Sequence, residues 1–408
     1  MELHPILDKG VVPNKGLWYV LATEGSCPSM RVGHTCTYLK GERTGDNGKL
    51  YVIGGADPSG SFQETYVLDM NTLNWERLES TDFQARYEHT AIVPSSQKEN
   101  IYVFGGANQA GNLNSVQKFE TLSKSWSYPP VSGNSPSPRT FHTTVSVGDR
   151  MFIYSGGQSG SDPVSDRSVH VFDTASTTWS VLSVRGDSPK PRHGHVMVAI
   201  GNKIYLHGGM AGQTFYDDLH LLDLDKSLWV HVKRKKVYPS ARAGHGACSV
   251  GDSLYIFGGM NRDGALADMY KLDTVLMSWS QVELQGPPPA CRLDFGMCVV
   301  QLERPTEGPV GVDTALATKY VQDILEPGTS PQDIETGASD ACVDDELEVR
   351  SADFTEKSSE DSPQEGPLKE CSSDESKSGK TTLQMCLVQG GMDTEGEIFD
   401  DTLVMLLP

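Results

Sequence analysis

Five of the eleven histidines stand in one frame, Arg-x-x-His, at Arg31/His34, Arg86/His89, Arg139/His142, Arg192/His195 and Arg242/His245. A sixth frame, Arg292-Leu293-Asp294-Phe295, keeps the arginine and replaces the imidazole. A guanidinium near an imidazole suits anion binding or proton transfer, but recurrence at this regularity points first to a structural repeat. His4, His170, His193, His207, His220 and His231 lie outside the frame. His193 and His195, two apart, are not expected to share a metal, since two imidazoles alone fall short of a ligand set. His207, directly before a glycine pair where the other repeats carry another residue type, reads as a packing residue. The eight cysteines (27, 36, 248, 291, 298, 342, 371 and 386) contain no Cys-x-x-Cys. They read as reduced cytosolic thiols, not as a zinc site or a secreted disulfide framework. There is no Walker loop, no His-Glu-x-x-His and no Ser/His/Asp order. The expectation is a chain without catalysis, metal or cofactor.

The elements that position these residues follow from a second repeat. A double glycine closes an apolar, β-prone run six times, at Gly54-Gly55, Gly105-Gly106, Gly156-Gly157, Gly208-Gly209, Gly258-Gly259 and Gly390-Gly391. The intervals are 51, 51, 52, 50 and 132 residues. Trp75, Trp126, Trp179, Trp229 and Trp279 follow the first glycine of their pair by 21, 21, 23, 21 and 21 residues. No tryptophan follows the sixth pair, and Trp18, in Leu17-Trp18-Tyr19-Val20-Leu21, has no pair before it. Six pairs and six tryptophans balance only if the N-terminal strand completes the last repeat, which requires a closed ring. An acid stands nine residues after the second glycine at Glu64, Asp166, Asp218, Asp268 and Asp400, with Ser115 in the second repeat. Each repeat reads as four short strands divided by turn residues, so the fold class is all-β, a six-bladed propeller. The arginines and acids are expected to be scaffold ion pairs, the alternative being a ligand-facing ring.

The chain of 408 residues carries a formal charge of −20, which disfavours a nucleic-acid binder. Residues 302–383 hold 20 acids and 7 bases with Tyr320 and Phe354 as their aromatics. Such a segment buries too little apolar surface to offset its chain entropy and is expected to be disordered. Its length accounts for the long 132-residue interval, so it interrupts the sixth repeat. The expected organisation is propeller over 1–301, insert over 302–383 and the remaining strands of the last blade over 384–408. Ser358, Ser372 and Ser373 precede acids and are candidate phosphorylation sites. The start, Met1-Glu2-Leu3-His4-Pro5, shows no leader pattern, and no apolar run approaches the ~18 residues of a membrane span.

Arg-x-x-His, the glycine pair, the acid and the tryptophan together resemble the kelch-repeat family. Arg86-Tyr87-Glu88-His89, Val103 through Gln109, Ser137 through His142, Pro191 through Met197, Phe215 through His220 and Gly390 through Glu397 resemble, within it, the kelch-motif effectors of a late-endosomal Rab GTPase. That resemblance implies a monomeric cytosolic protein, peripheral on endosome membranes through its partner. It would bind the GTP-bound Rab and promote vesicle transport from late endosomes to the trans-Golgi network. The alternative is a kelch substrate receptor or scaffold for another complex such as a ubiquitin ligase. Against that stands the short stretch before the first strand, where such receptors usually carry a helical dimerisation domain. Phe215, Tyr216 and Tyr238 are candidate aromatic anchors on the loop-bearing face. Lys233-Arg234-Lys235-Lys236 is a dense basic run suited to an acidic partner or lipid phosphates, or simply a solvated strand edge.

Overall fold

The computed structural model describes residues 3–79, 82–305 and 380–408, and every regular element among them is a β-strand. They form six antiparallel blades. From the inner to the outer edge, blade 1 is Thr35–Leu39, Lys49–Ile53, Thr65–Asp69 and Asn74–Leu78, and blade 2 is Thr90–Ile92, Asn100–Phe104, Val116–Glu120 and Ser125–Ser127. Blade 3 is Thr143–Val147, Arg150–Tyr154, Val169–Asp173 and Thr178–Leu182, and blade 4 is Val196–Ile200, Lys203–His207, Leu219–Asp223 and Leu228–Val232. Blade 5 is Gly246–Val250, Ser253–Phe257, Met269–Asp273 and Ser278–Gln281. Blade 6 takes Gly296–Pro305, Lys380–Gln389 and Thr402–Leu406, and its outer strand is Trp18–Leu21 from the other end of the chain. Trp18 lies opposite Met405 and Val20 opposite Leu403, which closes the ring.

Local chemistry sets these hairpins. In blades 3, 4 and 5 the inner strand turns through Gly148-Asp149, Gly201-Asn202 and Gly251-Asp252, with Val147 opposite Arg150, Ile200 opposite Lys203 and Val250 opposite Ser253. The glycines have φ of 63°, 57° and 56°. A positive φ at the first of two turn residues matches the right-handed twist of the flanking strands. Three blades gain a short fifth strand parallel to the outer one: Glu24–Gly25 on blade 1, Arg185–Gly186 on blade 4 and Ile6–Leu7 on blade 6.

The core is divided among the joints between blades. Trp75 packs with Leu50, Leu68, Leu302 and Leu387, joining blade 1 to blade 6. Trp126, Trp179, Trp229 and Trp279 do the same toward the blade before their own, and Trp18 fills the joint between blades 6 and 5 with Phe257, Cys386 and Met405. One tryptophan per joint explains why their number equals that of the blades.

Two boundaries differ from the sequence expectation. The inner strand of blade 6 runs to Pro305 and its neighbour begins at Lys380, so the two ends of 302–383 are strand. Leu302 is buried in the joint with blade 1 and Leu383 packs against it, a contribution that the composition of the whole segment conceals. The remainder, including Ser358, Ser372 and Ser373, lies outside the described residues. In the third repeat, the structural equivalent of the glycine pair is Ser155-Gly156 and not Gly156-Gly157. Ser155 has φ 53°, and its carbonyl accepts from Arg139 as that of Gly54 accepts from Arg31. The Ser155 Oγ accepts the backbone N–H of Arg192 at 2.8 Å, a bond that a glycine could not make.

Trp18 holds both a joint and the ring closure, so Trp18→Ala should cost at least about 3 kcal/mol. Chemical denaturation compared with an exposed substitution such as Leu122→Ala checks this; equal midpoints would show that closure does not depend on the indole.

Candidate functional site

The Arg-x-x-His arginines are fully or almost fully buried. Each reaches across its own blade to the first residue of the pair: the carbonyls of Gly54, Gly105, Ser155, Gly208, Gly258 and Gly390 accept from Nη1 at 2.9–3.1 Å. Five are also paired with carboxylates. Arg31 meets Glu64 at 3.2 Å and Arg139 meets Asp166 at 3.7 Å, while Arg192, Arg242 and Arg292 hold Asp218, Asp268 and Asp401 bidentately. The last acid is Asp401, not Asp400, because the Asp393–Glu397 turn makes that hairpin one residue longer. Arg86 has no carboxylate; Gln117 Oε1 at 2.8 Å and Ser115 Oγ at 3.1 Å accept from it, and burial lowers its pKa to about 10. The guanidinium ring is scaffold, closed to ligands by its own partners.

The imidazoles sit between blades. His89 Nε2 is 3.3 Å from Thr35 Oγ1, His142 Nε2 is 3.0 Å from Thr90 Oγ1, and His245 Nε2 meets His207 Nδ1 at 3.1 Å. Burial, reinforced by arginine, lowers His34, His142 and His207 to about 3 and puts His89, His195 and His245 well below the ordinary range. These rings are neutral packing groups. Among the described residues, no group of three or more His, Cys, Asp or Glu is placed to hold a metal ion.

A feature missed by sequence reasoning lies between each arginine and its histidine. The third residue of the frame, Gly33, Glu88, Phe141, Gly194, Gly244 or Asp294, has φ between 45° and 67° in all six blades. Their backbones link around the axis. Glu88 N–H donates to Gly33 O, Gly33 to Asp294, Asp294 to Gly244, Gly244 to Gly194, and Gly194 to Phe141, at 2.6–3.0 Å. These five bonds run around the mouth of a central cavity of about 250 Å³ lined by the inner strands. Glycine tolerates the left-handed conformation, whereas Glu88, Phe141 and Asp294 bear strain there. Burial raises Glu88 to about 9, with Asp294 adding to the effect, and raises Asp294 to about 7. Three glycines among six equivalent positions were the available signal.

The aromatic candidates fall into different roles. The Tyr216 ring lies 4.2 Å from the Arg192 guanidinium and lids it, as Phe62 and Phe399 lid Arg31 and Arg292. Phe215 is half-buried in the hairpin paired with Met210–Ala211. Tyr238 packs half-buried beside Trp279 and His207, its hydroxyl pushed up to about 12 by burial. Arg234 sits over the Tyr238 ring at 5.1 Å and pairs with Asp217 at 2.6 Å. Lys233, Lys235 and Lys236 are exposed. The structure therefore brings Arg234 and Tyr238 together and leaves Tyr216 turned inward.

A family model for the KLHDC2/KLHL20/DRC7 kelch-repeats domain matches residues 42–259 and 155–304. The chain belongs to the kelch-repeat family. This kelch propeller is similar to proteins named "Rab9 effector protein with kelch motifs". That of Bos taurus is 45% identical over 220 residues, covering 54% of this chain and 59% of the relative. The Homo sapiens protein is 43% identical over 220 residues, 54% of this chain and 59% of its own, and the Danio rerio protein 40% over 230 residues, 54% and 66%. The matched part spans about six-tenths of the length of these curated relatives.

Two outcomes follow for the kelch ring. The six buried imidazoles have folded pKa values below the unfolded 6.5, so the stability they contribute is lost as pH falls from about 6.5 toward 3. Glu88 and Asp294 have raised values and act oppositely, losing their contribution as pH rises toward about 9 and 7 respectively. The imidazoles outnumber them, so the melting temperature should fall steadily between pH 6.5 and 4.5; a flat profile would refute neutral burial. Asp294→Gly, which removes both the strain and the buried carboxyl, should stabilise the fold by about 1 kcal/mol in urea denaturation. A loss of stability instead would assign the Asp294 side chain a packing role.

Proposed function

We propose that this chain is a non-catalytic protein-binding propeller that recognises a GTP-loaded Rab GTPase. On this reading it acts at late endosomes in transport toward the trans-Golgi network. The observation that carries the reading is the 40–45% identity to relatives named as Rab9 effectors. The geometry is compatible with it. The repeat arginines and histidines are consumed in holding the blades together, so no acid–base or nucleophilic pair is left over from them, and the cavity is smaller than the ~300–1,000 Å³ of a usual small-molecule site. Among the described residues no helix is long and apolar enough to cross a membrane.

The proposed binding face is the one at the channel mouth, where the hairpins between second and third strands stand. Those hairpins are stitched to each other: Ser61 Oγ donates to Gln109 Oε1 at 2.8 Å, Asn112 Nδ2 to Gln158 O at 2.9 Å, Gly212 N–H to Ser161 O at 2.9 Å, and Arg262 to Gln213 O at 3.0 Å. A rim tied in this way is pre-organised, which lowers the ordering cost of binding. Phe215, in one of these hairpins, is the proposed aromatic contact.

The test is capture of purified Rab proteins, each loaded with a GTP analogue or GDP. Selective retention of one GTP-form Rab, weakened at least tenfold by Phe215→Ala, is expected. Binding to none in either state would sink the effector reading; selective binding unaffected by Phe215→Ala would keep it and move the contact face.

A further inference from the structure

The outer hairpins, which join third and fourth strands, share one geometry. An aspartate at the end of the third strand accepts the backbone N–H groups of the turn: Asp69 from Asn71 and Thr72, Asp173 from Ala175 and Ser176, and Asp273 from Val275 and Leu276, at 2.8–3.1 Å. A residue at φ 49–55° closes each of these turns: Leu73, Thr177 and Met277. Small or polar residues satisfy this turn in blades 1 and 3, so the turn does not call for Val275 and Leu276. They are 73% and 64% exposed, two adjacent aliphatic side chains held outward by a rigid turn. The other large exposed aliphatic tip, Leu122 at 84%, stands beside Ser123 and is single.

The basic run lies against this tip. Leaving the outer strand of blade 4, it crosses to blade 5, where Lys235 Nζ donates to the Leu276 carbonyl at 2.7 Å. Arg234 is partly neutralised by Asp217, while Lys233 and Lys236 are exposed and make no ion pair among the described residues. Val237, 46% exposed, extends the apolar part. The neighbouring carboxylates are Asp273, whose oxygen is occupied by the turn, and Asp252, whose carbonyl accepts from Thr274 and whose charge opposes the run. Three lysines without an ion pair among the described residues, beside a paired aliphatic tip, invert the balance of a chain at −20 overall.

The geometry points to a direct membrane-docking edge: Val275 and Leu276 enter the headgroup–acyl boundary of an anionic bilayer while Lys233, Arg234, Lys235 and Lys236 contact lipid phosphates. Apolar insertion and basic attraction are the two contributions that peripheral binding combines, since either alone gives only marginal, reversible association. A basic protein groove could attract an acidic polypeptide equally well, but a convex tip of two rigid aliphatics offers such a partner no pocket. A bilayer boundary needs none. The inference does not depend on the Rab reading, because the contact is between this chain and lipid.

Sedimentation of the full chain, without any partner, with phosphatidylcholine vesicles containing or lacking phosphatidylserine is the test. Partition onto the phosphatidylserine vesicles is expected, weakening as salt rises. Val275→Ala with Leu276→Ser copies the blade 3 turn and so should fold; it should reduce partition on the order of tenfold. Lys233→Glu with Lys236→Glu should reduce it at least as much, at roughly fivefold per cation removed. Leu122→Ser should leave it unchanged, and all variants should melt like the parent chain. Parent chain that stays in the supernatant with both vesicles, or binding that the two double variants leave intact, would overturn the proposal.

Discussion

The structure hangs on the buried guanidinium. Each repeat arginine is removed from water and reaches the carbonyl at the start of its own glycine pair, while the N–H of the next residue is bonded to the arginine carbonyl of the following blade. One side chain thus fixes the pair within a blade, and the same residue's backbone fixes the joint to its neighbour. An uncompensated charge at this depth would be costly, and for five of the six the acid across the blade supplies the counter-charge. The exception is informative. Around Arg86 the acceptors are neutral, and burial depresses its pKa, so hydrogen bonds and the Phe83 ring, 5.6 Å from the guanidinium, maintain the geometry without a counter-charge.

The same joints impose a second constraint at the axis. The chain must turn sharply between the arginine and the inner strand, and the left-handed residue that makes the turn also donates or accepts in the run of five bonds around the mouth. Where that residue is glycine, nothing projects into the opening. Where it is Glu88, Phe141 or Asp294, a side chain does, at the expense of backbone strain. A glycine would relieve that strain, so the side chains held there, beside the stitched hairpin rim, are what distinguish this part of the mouth.

Much of this was legible from residue spacing. Counting tryptophans against glycine pairs established the number of blades and the unusual outer strand of the last one, because each indole is matched to one joint. Pairing of arginine with acid was legible for the same reason: six like charges in a ring need partners of matching number. What escaped was everything that turns on one residue of register. Gly156-Gly157 reads as the third pair along the chain, and only the Arg139 bond and the positive φ of Ser155 move the pair back by one residue. Asp400 and Asp401 differ only by the length of a turn. Tyr216 resembles an exposed anchor along the chain, and only the third dimension places Arg192 beneath its ring. Val275 and Leu276 drew no notice along the chain, because an aliphatic pair carries no sign of the Asp273 carboxylate that bends the backbone under it. Leu302 and Leu383 were hidden by averaging over acidic neighbours.

Trp18 and Met405 face each other across a strand pair although they are 387 positions apart in sequence. On the ribosome, at about 5–20 residues per second, the segment holding Trp18 emerges roughly 20 to 80 s before its mate. During that interval the strand Trp18–Leu21 has no neighbour to pair with, and the apolar face of blade 1 that later meets blade 6 is bare. Blades 1 to 5 can stack in order of synthesis, each on the one before. The nascent chain must therefore spend most of its synthesis as an open arc with two sticky ends, and the cell has to keep those ends apart from other chains until the final strand appears.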